Sequence, residues 1–142
     1  MKTHQPSHAI DPRVLLSTLW IFVMFNYLYC DVLALFDPHI LKQLTSETPS
    51  IDGIIFDDNF LLSAAILMEI PIAMVILSRV LIYKTNRWAN IIAGTIKTVI
   101  MIITLFVGDG PSRYYLFFGI IEIVTTAWIV FYAWNWREHA HQ

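Results

Sequence analysis

Cysteine occurs once in the chain, at Cys30, so no internal disulfide can form, and redox chemistry that needs both an attacking and a resolving thiol is excluded. Charge is scarce as well. Only 14% of residues are Asp, Glu, Lys or Arg, the net charge is −2, and the basic residues are scattered rather than clustered. The electrostatic footprint that holds phosphate backbones is therefore missing, and no nucleic-acid partner is expected. No histidine lies inside a long apolar block, which excludes haem held between helices by two histidines. No phosphate-binding glycine loop, nucleophile elbow or zinc motif is present. No catalytic residue, cofactor or metal is expected on these grounds. Cys30 itself reads as a small buried apolar side chain.

What fills the chain instead is hydrocarbon. Of 142 residues, 57% are hydrophobic and the mean hydropathy is +0.62, outside the range of ordinary soluble domains. The apolar residues come in long blocks, over 14–36, 60–83, 88–107 and about 112–134. Each reaches the roughly 20 residues that cross a hydrocarbon core of about 30 Å at 1.5 Å per residue. Asp11-Pro12-Arg13 and Asp37-Pro38 bracket the first block, and Asp57-Asp58-Asn59 can cap the start of the second. The first block is too long for a signal-peptide core of about 7–15 residues, and Tyr27-Leu28-Tyr29 before Cys30 is too bulky for processing there. It is expected to stay in the mature protein.

The expected fold is an all-α, up-down four-transmembrane-helix bundle forming a single integral membrane domain over residues 1–142. Lys2, Arg13, Arg79, Lys84, Arg87 and Arg137 fall on one side, and only Lys42 and Arg113 on the other. By the positive-inside rule both termini are cytoplasmic, and the protein is a multi-pass component of the inner (plasma) membrane. Tyr83, Trp88, Trp134 and Trp136 at one interface and Tyr114 and Tyr115 at the other agree with this placement. Lys84 to Arg87 and Gly108-Asp109-Gly110-Pro111 read as short turns. The outer loop, 37–59, is long enough for a short helix or lid, with Asp52 and Gly53 marking a turn. His4, His8, His139 and His141 lie in the two tails, where solvated residues are expected over a shared metal site.

Against this apolar background a few polar residues stand out. By helical rise, Asn26, Glu69, Lys97 and Glu122 each lie roughly 15 Å from the outer membrane edge. An ionised side chain facing lipid at that depth costs about 2.5–3.5 kcal/mol, so all four are expected to face the interior. Asn90, Gly94, Lys97, Met101 and Thr104 step by three or four along one span, and Tyr115, Gly119, Glu122 and Thr126 along another. Asp31 is expected at the mouth of this cavity, with Tyr27 one turn below it on the same side. Pro71, two residues after Glu69, is expected to bend its helix beside the acid.

The stretch Leu16-Ser17-Thr18-Leu19-Trp20-Ile21-Phe22, with Asn26-Tyr27-Leu28-Tyr29-Cys30-Asp31 and Glu69-Ile70-Pro71, resembles a family of small uncharacterised bacterial membrane proteins and is loosely similar to DoxX-like four-helix proteins. The resemblance implies a bacterial inner-membrane four-helix bundle without an assigned activity. It also implies a tie to respiratory or redox complexes, for which this chain lacks the redox cysteines. Three functional expectations follow. Asn26, Tyr27, Asp31, Glu69, Lys97 and Glu122 bind or move a small polar or cationic ligand, or protons, in a bundle that forms a homo-oligomer or joins a larger membrane complex. Alternatively, the chain is an accessory or scaffold subunit whose polar layer is structural, with Lys97 paired to Glu122 or Glu69. An intramembrane enzyme using Glu69 as its acid or base ranks third.

Overall fold

A computed structural model describes residues 10–51, 54–106 and 110–137. The tail histidines His4, His8, His139 and His141, the Asp52-Gly53 turn and Gly108-Asp109 lie outside the described residues. Among the described residues there are five helices: α1 (Pro12–Leu35), α2 (Pro38–Leu44), α3 (Asp58–Val80), α4 (Tyr83–Thr104) and α5 (Arg113–Asn135). Between α2 and α3, β1 (Ser50–Ile51) pairs antiparallel with β2 (Ile54–Ile55). Three helices, α1, α3 and α5, are long and apolar enough to cross a membrane. Among the described residues the fold is all-α apart from that two-residue ladder.

The helix ends follow from local chemistry. Asp11, Asp37 and Asp57 are the N-caps of α1, α2 and α3, accepting from the amides of Arg13, His39 and Phe60; such a cap contributes about 0.5–2 kcal/mol. Pro12 and Pro38 occupy first-turn positions, where a missing N–H costs nothing. The expected short helix in the outer loop is α2. Gly110, at φ 106, leads into α5 through a conformation that favours glycine. Ser112 caps α5 through the Tyr115 amide.

The junction between α3 and α4 differs from the expected turn over Lys84 to Arg87. Those residues are already helical, and the break falls on Leu81 and Ile82, both extended. The reason is Asn86. Its side-chain amide donates to the Ser78 carbonyl at 2.7 Å, supplying one of the last α3 carbonyls that has no partner within its own helix. To reach back this way, Asn86 must sit in the first turn of α4. The opposite ends of α4 and α5 are tied similarly: Tyr83 Oη donates to the Trp136 carbonyl at 2.7 Å, and Arg87 Nη2 to the Trp134 carbonyl at 2.8 Å.

The helices pack in a ring. α4 lies most extensively against α5, α1 against α3 and α5, and α3 more lightly against α4. Leu16, Trp20 and Val23 of α1 meet Met74, Ala93 and Ile129 at the core. At Gly94 an added Cβ would come within 2.7 Å of Val130 Cγ2 and 3.2 Å of the Thr126 carbonyl oxygen, so α4 and α5 touch nearly backbone to backbone. Around the outside, large apolar side chains such as Phe22, Ile66, Ile92, Phe117 and Phe131 are exposed.

A closed polar network crosses this core. Trp20 Nε1 donates to Asn90 Oδ1 at 2.7 Å, Ser78 Oγ to the same oxygen at 3.2 Å, and Asn90 Nδ2 to Asn86 Oδ1 at 2.7 Å and to the Asn86 carbonyl at 2.9 Å. Trp20, Ser78, Asn86 and Asn90 are fully buried. Asn90→Leu should leave the Trp20 and Ser78 donors and the Asn86 side-chain acceptor unpaired and cost about 1–3 kcal/mol for each buried group left unsatisfied. Thermal melting in detergent should show a clear drop in midpoint for that variant and almost none for Ile92→Ala on the exposed face.

Candidate functional site

Lys97 enters the bundle from α4 on the face defined by Asn90, Gly94 and Met101, all buried. Its side chain is 3% exposed. The ammonium lies 4.1 Å from the centre of the Tyr27 ring and 4.0 Å from Met68 Sδ. An ammonium over an aromatic face is held by the ring quadrupole, at about 2 kcal/mol or more where water is excluded. Tyr27, from α1, is half-buried, and its hydroxyl donates a close hydrogen bond to Glu122 Oε1 of α5. Glu122 is 4% exposed. One tyrosine thus touches both a buried cation and a buried carboxylate.

The expected site residues divide into three groups. Tyr27, Lys97 and Glu122 converge. Asn26 is buried beside Tyr27, but its side-chain amide donates to the Phe22 carbonyl of its own helix at 2.9 Å. Asp31 is exposed, one turn beyond Tyr27, and lines a groove of about 490 Å³ between α1 and α3 together with Ile21, Met24, Leu28, Met68 and Ile72. Met68 is shared: it lines the groove and touches Lys97.

Glu69 corrects the expectation. It is exposed, not turned into the bundle. The inward face of α3 is defined by Pro71, Met74 and Ser78. At about 100° per residue, a side chain two positions before Pro71 points to nearly the opposite side. α3 runs through Pro71 as one helix, with the proline ring packed inside, so the proline faces the bundle and the acid faces away.

The second stripe follows its expected face. Gly119, Glu122 and Thr126 are buried and Tyr115 is half-buried. Thr98 and Thr126 hydroxyls meet at 2.7 Å, and Thr126 donates to the Glu122 carbonyl at 2.9 Å, which fixes the turn carrying the carboxylate. Sequence reasoning missed Met68, Asn86, Ser78 and Trp20. Asn86 carried a readable signal, since it extends the Asn90, Gly94, Lys97 stripe by four residues; Met68 carried none. Among the described residues no cluster of His, Cys, Asp or Glu suits a metal ion.

Residues 7–141 match a family of unknown function, DUF6326. No curated protein and no solved structure matches the chain. The family match agrees with an uncharacterised family and does not bear on a DoxX-like relationship.

The geometry makes the Tyr27 hydroxyl the sensitive atom. Tyr27→Phe keeps the ring beneath Lys97 and removes the donor to Glu122, at an expected cost of about 1–3 kcal/mol. Glu122→Gln alone and combined with Tyr27→Phe completes a double-mutant cycle, read by thermal melting. A coupling energy above about 0.5 kcal/mol is expected; strictly additive losses contradict a direct link.

Proposed function

The chain belongs to the DUF6326 family, whose function is unknown, and from its geometry we propose a multi-pass membrane protein in which Lys97, Tyr27 and Glu122 hold and relay a proton, or a small polar solute carrying one. The observation that carries this reading is the contact of Tyr27 with both charged side chains, its ring under the ammonium and its hydroxyl on the carboxylate. A phenol hydroxyl can both donate and accept a hydrogen bond; the Tyr27 hydroxyl donates to Glu122 while Lys97 touches the ring face, so a solute or water seated beside the hydroxyl completes the proton path between them. Intramembrane ionisable groups are functional candidates by default. A metal cation fits less well, because the Lys97 ammonium occupies the same layer and repels it. Asp31 serves as the polar group at the approach, and the α1–α3 groove, closed from Lys97 by Met68, is the side entrance.

In this reading α4 also crosses, as the third of four spans in an up-down bundle forming one domain. Its 22 residues reach about 33 Å, and Asn86, Asn90 and Lys97 are buried while Trp88, Ile92, Ile96, Val99 and Ile103 are exposed. A helix that turns its polar groups inward and its apolar ones outward suits lipid. Arg13, Arg79, Lys84, Arg87 and Arg137 flank one end of the bundle, which supports cytoplasmic termini in an inner (plasma) membrane; a bacterial membrane is what the resemblance implies.

A second reading, an accessory subunit of a larger complex, draws on the closed Trp20–Asn90–Asn86–Ser78 network. It treats the Lys97 layer as a further set of structural contacts, and the exposed Phe117, Trp128 and Phe131 of α5 as a docking rib. Proteoliposomes carrying an internal pH-sensitive dye separate the two. Under an imposed potential the wild-type protein should move protons faster than protein-free vesicles, and Glu122→Gln and Lys97→Met should each fall to the protein-free rate. Normal insertion with unchanged rates, together with a second protein recovered in mild detergent, would favour the accessory role.

A further inference from the structure

The groove between α1 and α3 has a shape and charge of its own. Its α1 wall is a single helix face, Ile21, Phe25, Leu28 and Asp31, stepping by three or four residues. Ile72 and Ile76 of α3 form the opposite wall, and the half-buried Met24 and Met68 lie deeper. Asp31 is the one lining residue that is not apolar. It stands ten residues from Ile21 on the same helix, so the trough is roughly 15 Å long at 1.5 Å per residue. Its volume of about 490 Å³ is that of a small-molecule pocket.

The carboxylate marks one end of the trough. Asp31 lies four residues before the end of α1, roughly 6 Å from the helix terminus, where a spanning helix nears the headgroups. It is one turn beyond Tyr27 and so outside the Lys97 layer. The side-chain hydrogen bonds that tie α1 to other helices are made by Ser17, Trp20 and Tyr27, not by Asp31. α1 has no basic residue in its last turn, although a cation there would meet both a carboxylate and the negative end of the helix dipole. The Lys97 ammonium is turned to Tyr27 and Met68 instead.

We propose that this groove binds an amphipathic organic cation, an amine or quaternary ammonium with an elongated apolar body, its head on Asp31 and its body lying between Phe25 and Ile72 towards Ile21. Charge complementarity selects this class. A phospholipid or fatty acid tail would fill the trough but bring an anionic headgroup to the carboxylate, and like charges repel. A neutral hydrocarbon would leave the carboxylate without a partner at the edge of lipid. An inorganic cation gains nothing from the apolar walls. Met24 and Met68 add tolerance, since an unbranched thioether adapts to bodies of different outline. The site therefore reads charge and length.

This inference goes beyond the proton relay and does not rest on it, because Tyr27 and Glu122 take no part. The test is equilibrium binding of radiolabelled decyltrimethylammonium to the full-length protein in phosphatidylcholine nanodiscs, with empty nanodiscs measuring partition into lipid. Saturable binding is expected, displaced by decylamine but not by decyl sulfate, decanol or tetramethylammonium at the same concentration. Asp31→Asn should weaken it about tenfold or more, and Asp31→Glu should retain most of it. Ile72→Trp, which fills the trough, should abolish binding, and Val124→Trp on the exposed face of α5 should leave it intact. Asp31, Ile72 and Val124 are all exposed, so these variants should melt in detergent near the wild-type midpoint. The proposal is overturned by the absence of a saturable component above empty nanodiscs, by decyl sulfate or decanol competing as well as decylamine, or by an affinity indifferent to Asp31→Asn or Ile72→Trp. Wild-type protein that binds the cation yet moves no protons would uphold the site without the relay; proton flux with no binding would sink the site and leave the relay.

Discussion

Hydrocarbon forms no hydrogen bonds, and in the proposed membrane setting that single constraint organises this protein. Three helices, α1, α3 and α5, are long and apolar enough to lie in it, and there a polar side chain is stabilised by a partner within protein, as it is on α4 packed among them. The consequence is an inverted distribution: Phe22, Ile66, Phe117 and Phe131 are exposed while Asn86, Asn90, Lys97, Thr126 and Glu122 are buried. The apolar effect cannot drive helices together in lipid. Association has to come from close packing, as at Gly94 against Val130, and from hydrogen bonds that cross between helices.

Those crossing bonds form two layers of different character. In the Asn90 layer every group is an amide, hydroxyl or indole, and the donors and acceptors close on one another across α1, α3 and α4. Such a layer fixes register and rigidity. In the Lys97 layer the groups are charged or titratable, and opposite charges are separated by a phenol instead of paired directly. If fixing the helices were all that mattered, a second set of amides would serve without burying charge. The contrast between the two layers is the physical ground for the proposal that one serves architecture and the other function.

Much of this was legible in the sequence, because the signals were periodic. The stripe from Asn90 through Gly94 and Lys97 to Met101 marked the inward face of α4, and Gly119, Glu122 and Thr126 that of α5; all are buried. The aspartate caps at the starts of α1, α2 and α3 could be read from Asp-Pro pairs and the Asp57-Asp58 step. The helix break at Leu81-Ile82 was not legible. It is set by a long-range cap, Asn86 on Ser78, while local hydropathy there is featureless. Met68 was equally hidden, since nothing about a methionine in an apolar run announces that it touches an ammonium on another helix.

Glu69 shows why depth alone misleads. Its distance along α3 matches the level of Lys97 and Glu122, and depth was the reason to group them. Azimuth decides instead, and on α3 it is fixed by Pro71, Met74 and Ser78 packing inward. The proline that suggested a kink beside a buried acid is itself the residue that turns the acid outward. The mid-membrane carboxyls therefore answer to two different surroundings. Glu122 is satisfied within its own bundle by Tyr27, whereas Glu69 is exposed on the outer face of α3.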